Sequence, residues 1–216
     1  MMHFPPVILG FDLRASTTHE FDGPFTADVN IWPQIDEYSF KAIRINIAAD
    51  LGREEAALVS PLDMSLLNCI PRNWLDVRPE GFENVCLVAF SSSTIGPSRQ
   101  AYRVDLSQGY YGCDISYEEL IESGWISLGY DVCDDSLSAS LLHTYRQNSK
   151  RAPKIESEFR NLVNQYGLFG FEKHANDFAS LESSIMPDHV PFSAVEILVA
   201  GYTVPREQTY HGTKPE

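Results

Sequence analysis

Four short apolar runs, at 7–13, 85–90, 125–132 and 193–202, set the terms for what this chain can fold into. Each has the length of a buried strand and is bounded on at least one side by Pro, Gly or Ser. None approaches the roughly 18 residues that a membrane-spanning helix needs. The 85–90 and 193–202 runs are apolar enough for the middle of a sheet. At 39–47 the pattern changes: Ile43, Ile45 and Ile47 recur every second residue, as on a strand buried on one face only. A further strand is predicted at 28–32, ended by Pro33. The segment 101–106 reads as the antiparallel neighbour of 85–90, joined to it by the Ser- and Gly-containing residues 91–99.

Helical signals lie between these runs. Ser116 and Glu119 have capping-box spacing, in which the hydroxyl accepts from the third helical amide and the carboxylate reaches back. Gly124 then supplies the stop. Pro153 suits a first helical turn, and Ile155, Phe159, Leu162, Val163 and Tyr166 fall on one face, which predicts a helix over 153–166 ended by Gly167. A second helix is predicted over 173–184, and loops with short helical turns between 53 and 79. With 216 residues, 44% of them hydrophobic, there is ample material for a core. No repeat or linker interrupts the pattern. The reading is a single α+β domain over 1–205, with a mostly antiparallel or mixed sheet and a few helices. A loose polar tail over 206–216 follows.

The charge balance narrows the partners. Sixteen Lys and Arg against 30 Asp and Glu leave a net charge of −14, which repels nucleic acid and favours a basic partner. From 104 to 145 there is no Lys or Arg, yet eight acids occur: Asp105, Asp114, Glu118, Glu119, Glu122, Asp131, Asp134 and Asp135. Tyr110, Tyr111, Tyr117, Trp125 and Tyr130 lie in the same stretch. Acids interleaved with Tyr and Trp suit a protein-binding face, and also suit a core. Arg146, Lys150, Arg151, Lys154 and Arg160 follow at once, so the block also reads as one neutralised within the chain.

The four cysteines, Cys69, Cys86, Cys113 and Cys133, stand far apart without a CxxC pair, and Cys86 sits inside an apolar run. Buried, reduced thiols are expected. The N-terminal residues lack the cationic start of a signal peptide. Both features point to a cytoplasmic protein with no disulfide framework.

Catalytic signatures are sparse. There is no GxSxG, and Ser91-Ser92-Ser93 after the 85–90 strand is the nearest approach to it. Neither GxxxxGK[ST] nor GxGxxG is present. A thiol nucleophile would draw on Cys113 or Cys133 with His143, His174 or His189 as base, and no spacing selects a pair. Asp131, Asp134 and Asp135 offer hard oxygen ligands, but helix capping by Asp134 or Asp135 explains them more simply. Asp188 could orient His189 as a general base, although the flanking Pro187 and Pro191 already account for a rigid turn there. No catalytic residue, metal or cofactor is assigned.

Two stretches carry a family likeness. One is Gly129-Tyr130-Asp131-Val132-Cys133-Asp134, continuing to Ser138-Ala139-Ser140-Leu141-Leu142. The other is Asn164-Gln165-Tyr166-Gly167-Leu168-Phe169 with Pro187-Asp188-His189-Val190-Pro191-Phe192. Together they resemble a family of bacterial proteins associated with the immunity proteins of polymorphic toxin systems. Cys133 stands where that pattern has a small residue, and Leu142-His143 replaces a polar ending. The resemblance is confined to the C-terminal part of the chain. It implies a single-domain cytoplasmic protein that works by binding, with no catalytic residues to carry over.

The leading expectation is therefore a non-catalytic binding protein that occludes a basic toxin. Its binding face would comprise Tyr110, Tyr111, Asp114, Glu118, Glu119, Glu122, Trp125, Asp131, Asp134 and Asp135. Neither nucleic acid nor membrane is an expected partner. The alternatives are a small hydrolase using Asp188/His189 or the Asp131/Asp134 cluster, and a self-associating structural or regulatory protein.

Overall fold

The computed structural model describes residues 5–15, 48–49, 66–72, 85–94, 109–133, 140–144, 157–185 and 192–201. Strands β1 (Val7–Ala15), β3 (Val85–Ser92), β5 (Trp125–Cys133) and β6 (Ser193–Ala200) form a four-stranded sheet in the order β1-β3-β6-β5. Every pairing in it is antiparallel. The short strands β2 (Cys69–Pro71) and β4 (Tyr110–Gly112) pair separately, also antiparallel. Three helices lie wholly within the described residues, α1 (Tyr117–Glu122), α2 (Leu141–Thr144) and α3 (Glu172–Ile185), and residues 48–49 and 157–159 are also helical. The fold is α+β, as expected. None of these helices is long and apolar enough to cross a membrane.

The four apolar runs are the four strands of the main sheet, because each gains a hydrophobic layer on both faces. One face carries Phe11, Leu13, Leu87, Ala89, Leu198 and Ala200, packed with Trp125 and with Leu120 of α1. Phe11 and Trp125 meet with ring centroids 5.9 Å apart. The opposite face carries Cys86, Val88, Phe90, Val195, Ile197 and Val199, covered by Leu66 and Leu168. Helix α3 lies over the β5–β6 end through Ala175, Phe178 and Ala179, which meet Val132 and Ala194. Phe178 stands edge-on to Phe159 at 5.1 Å. Its burial contributes about 2–3 kcal/mol, the usual return for a fully buried aromatic side chain.

The capping box forms as its spacing requires. The Glu119 amide donates to Ser116 Oγ at 3.1 Å, and the Ser116 amide donates to Glu119 Oε2 at 3.0 Å. Ser116→Ala is expected to cost about 1 kcal/mol, read as a lower urea midpoint with an unchanged slope. Gly124 ends the turn with φ +91°.

Two expectations are corrected. The neighbour of β3 is not 101–106: from Val88 to Ser91 its two edges are taken by β1 and by β6, so no further strand fits beside it there. The helix predicted to reach Tyr166 stops at a 3-10 turn, Arg160–Leu162. Val163 is extended and bridges to Phe169, and Asn164 Oδ1 accepts from the amides of Tyr166 and Leu168. A side chain that bonds its own following amides competes with the helix, and here it wins. Gly167, φ +69°, serves that turn rather than a helix end. The strands expected at 28–32 and 39–47, the segment 101–106, the start of the 153–166 helix and the 206–216 tail lie outside the described residues.

Candidate functional site

The central position on the helix-covered face of the sheet is polar. Glu196 of β6 has Ser91 of β3 on one side and Tyr130 of β5 on the other, as directly opposed partners. Antiparallel partners project to the same face with Cβ atoms about 5 Å apart. Three hydroxyls bond to the Glu196 carboxylate: Tyr117 at 3.0 Å, Ser127 and Tyr130. Tyr117 opens α1 and Glu172 opens α3, so the group lies where the two helices part over the sheet. Ser93 hydrogen-bonds to Glu172 from the end of β3.

Electrostatics here follow burial. Glu196 is 5% exposed, and loss of solvent raises its pKa. The nearby Glu172 charge adds to the rise, while the hydroxyl donors pull against it. Tyr130 is pushed up to about 12 by burial first and by Glu196 and Glu172 next. Tyr117 rises for the same reasons, burial ahead of Glu196. The result is a carboxylate surrounded by hydroxyls that stay protonated. Tyr117, Tyr130 and Glu172 are half-buried and Ser127 is exposed, so the carboxylate lies one side chain from solvent.

A second polar group sits on the opposite face. Asp12 and Arg14, both buried, pair at 2.6 Å, and the Arg14 guanidinium lies 5.3 Å over the Phe90 ring. Asp131 is fully buried, and that burial pushes its carboxyl up to about 7. Ser140, the amides of Val132 and Leu142, and the Arg14 charge all pull it down, but by less.

The acidic aromatic block divides on this fold. Asp114, Glu118, Glu119 and Glu122 are exposed on α1 and on the turn before it. Glu119 is already committed to the capping box, whose amide and hydroxyl hold its carboxyl below the usual range. Tyr110, Trp125 and Asp131 are corrected: all three are buried and cannot project from a surface, Trp125 because it packs against Phe11 in the core. Tyr111 pairs with Ile70 through its backbone. Its side chain, together with Asp134, Asp135, Asp188 and His189, lies outside the described residues. The large apolar side chains exposed among the described residues are Ile121, Ile126 and Phe171.

The other nucleophile candidates resolve in packing terms. Burial pushes the Cys113 thiol far up, and Cys69 and Asp114 push it further, which leaves no thiolate. Cys133 is fully buried. His174 stands edge-on to Phe171 at 5.6 Å. Ser92 donates to the Ala194 carbonyl at 3.1 Å, and Ser93 hydrogen-bonds to Glu172. Among the described residues no group of three or more His, Cys, Asp or Glu side chains could hold a metal ion.

The residue that organises the polar centre, Glu196, was hidden inside the 193–202 run. Its signal was there: one carboxylate in the middle of a strand apolar enough to be central. No family model, curated protein or solved structure matches the chain.

Proposed function

We propose that this protein is a non-catalytic binding protein whose acidic α1 surface takes a basic protein partner, in the manner of an immunity protein that occludes a toxin. The observation that carries the reading is the exposure of Asp114, Glu118 and Glu122 together on one short stretch without a Lys or Arg in it. Such a surface speeds encounter with a cationic partner and orients it. With Trp125 and Tyr110 in the core, the apolar anchors fall to Ile121 at 37% exposure and Ile126 at 48%. Exposed acids around a small apolar centre are the ordinary anatomy of a transient interface.

The test is a charge reversal, D114K/E118K/E122K, which leaves the capping-box Glu119 in place. Tagged wild type and variant, both checked for native circular dichroism, are recovered from cells at low and at high salt. Wild type is expected to retain a basic protein at low salt and release it at high salt. The variant's association with that protein is expected to be at least about tenfold slower, with a flatter salt dependence. Equal retention by the variant would sink the acidic-surface reading.

A further inference from the structure

We propose that the Glu196 centre is a binding site for a compact organic cation, an alkylammonium or guanidinium group, held by Glu196, Glu172 and Ser91 beside Tyr117 and Tyr130.

Ser91 gives the first argument. Its side chain is fully buried, and its Oγ has no hydrogen-bond partner among the described residues. It stands directly opposite Glu196 in the β3–β6 ladder, so it points into the same space. A buried hydroxyl left without a partner is costly in a folded protein, and a donor bound beside it would remove that cost. Ser92, one residue along the strand, is satisfied by the Ala194 carbonyl. Of these two neighbouring β3 serines, the one without a partner is the one that faces Glu196.

The charge balance of the site gives the second. The Glu172 charge acts on Glu196, and both carboxylates act on Tyr130, with hydroxyls but no described cation beside them. The large acidic excess of the chain adds to them. The only buried cation among the described residues, Arg14, is paired with Asp12 on the opposite face of the sheet. Burial is the main reason Glu196 is raised, and a bound cation would offset the smaller part that comes from Glu172.

The walls give the third argument. Tyr117 and Tyr130 both bring hydroxyls to the Glu196 carboxylate, which places two aromatic rings beside it. Carboxylate plus aromatic rings is the chemistry that recognises ammonium and guanidinium groups. No third carboxylate, His or Cys joins the two glutamates among the described residues, as a metal ion would require.

The same group can arrive as a free amine or as a Lys or Arg side chain of a protein, and the experiment separates the two. The full-length protein is titrated with ethylammonium, methylguanidinium and spermidine, and with short blocked peptides carrying one Lys or one Arg. Sodium chloride at equal ionic strength is the reference. Calorimetry reads affinity, and NMR of the tyrosine rings reads location.

Saturable one-to-one binding that shifts the Tyr117 and Tyr130 ring signals is expected for at least one probe. Tighter binding of a peptide than of the free cation identifies a protein side chain as the source, and the reverse order identifies a small amine. E196Q should weaken binding about tenfold, the loss of a charge-assisted contact. S91A should weaken it about threefold while raising the melting temperature, because the orphaned hydroxyl is gone. No saturable binding by any probe beyond the sodium chloride reference overturns the proposal. So does binding that both variants leave unchanged. E196Q and S91A leave Asp114, Glu118 and Glu122 in place, so loss of cation binding in these variants with the salt-dependent partner retained separates this site from the acidic surface.

Discussion

Gly129→Ala is expected to lower stability by about 4 kcal/mol or more. Gly129 holds φ at +129°, a region that side-chain-bearing residues rarely enter. It also sits at the irregularity where the β5–β6 register shifts between Ser127 and Gly129. A Cβ there would fall 2.6 Å from the Phe169 carbonyl oxygen, 3.0 Å from Asn164 Nδ2 and 3.1 Å from Leu168 Cβ. The oxygen is backbone and cannot swing away. It accepts from the Tyr130 amide at 2.8 Å, and the Phe169 amide returns a bond of 2.8 Å to the Tyr130 carbonyl. The backbone conformation contributes about 1–3 kcal/mol of strain, and each of those bonds about 1 kcal/mol if the clash breaks it.

Gly109→Ala isolates the conformational part. Gly109 has φ +87° and nothing within 4 Å of a built Cβ, so its replacement should cost only about 1 kcal/mol. Urea unfolding of both variants checks the pair. Equal losses at the two positions would mean that the close approach of Phe169 to β5 is not what fixes Gly129.

The second large effect is a pH dependence. In the folded protein Asp131 titrates near 7, above the ordinary 3.8 of an unfolded chain. Between those values the folded state holds a proton that the unfolded state has released. Stability contributed by the neutral carboxyl is therefore complete below about pH 4 and is lost as pH rises through about 7. A shift of this size corresponds to a swing on the order of 4 kcal/mol. Asp131→Asn keeps the shape and removes the titration. The difference in unfolding free energy between Asp131→Asn and wild type should change by that amount from pH 4 to pH 8, in favour of the variant at high pH. Taking the difference cancels Glu196, whose raised pKa gives a slope of the same sign. A difference that stays flat across the range would mean that Asp131 is ionised throughout and compensated by Arg14.

What could be read from the residues was whatever rests on neighbours in sequence. The capping box of α1 needs only Ser116 and Glu119, and helix α3 needs only the spacing of Ala175, Phe178 and Ala179. The four main strands were visible as apolar runs, because burial on both faces leaves little room for polar residues. Their order was not, since the partner of β3 comes from the far end of the chain and no local pattern marks it. The 153–166 prediction failed on Asn164, whose side chain makes bonds that a periodicity of apolar residues does not register. For the same reason the polar centre stayed hidden: Tyr117, Tyr130 and Ser91 are ordinary where they stand and acquire meaning only when the ladder sets them around Glu196. The acidic block showed the opposite error. Composition put Trp125 and Asp131 with the surface acids, while the cover on both faces of the sheet buries them.

Strand β6 joins the β1-β3 pair to β5, yet it is the last of the four in the chain. During synthesis, then, the ribosome releases three strands of a sheet that cannot close. Between Cys133 and Ser193 some 60 residues must still be added, which takes about 3–12 seconds at ordinary elongation speeds. Through that interval β3 and β5 each offer a bare edge to any extended chain nearby. Newly made copies on the same message are the closest such chains, so this protein's yield in the cell should depend on chaperone supply far more than its finished stability would suggest.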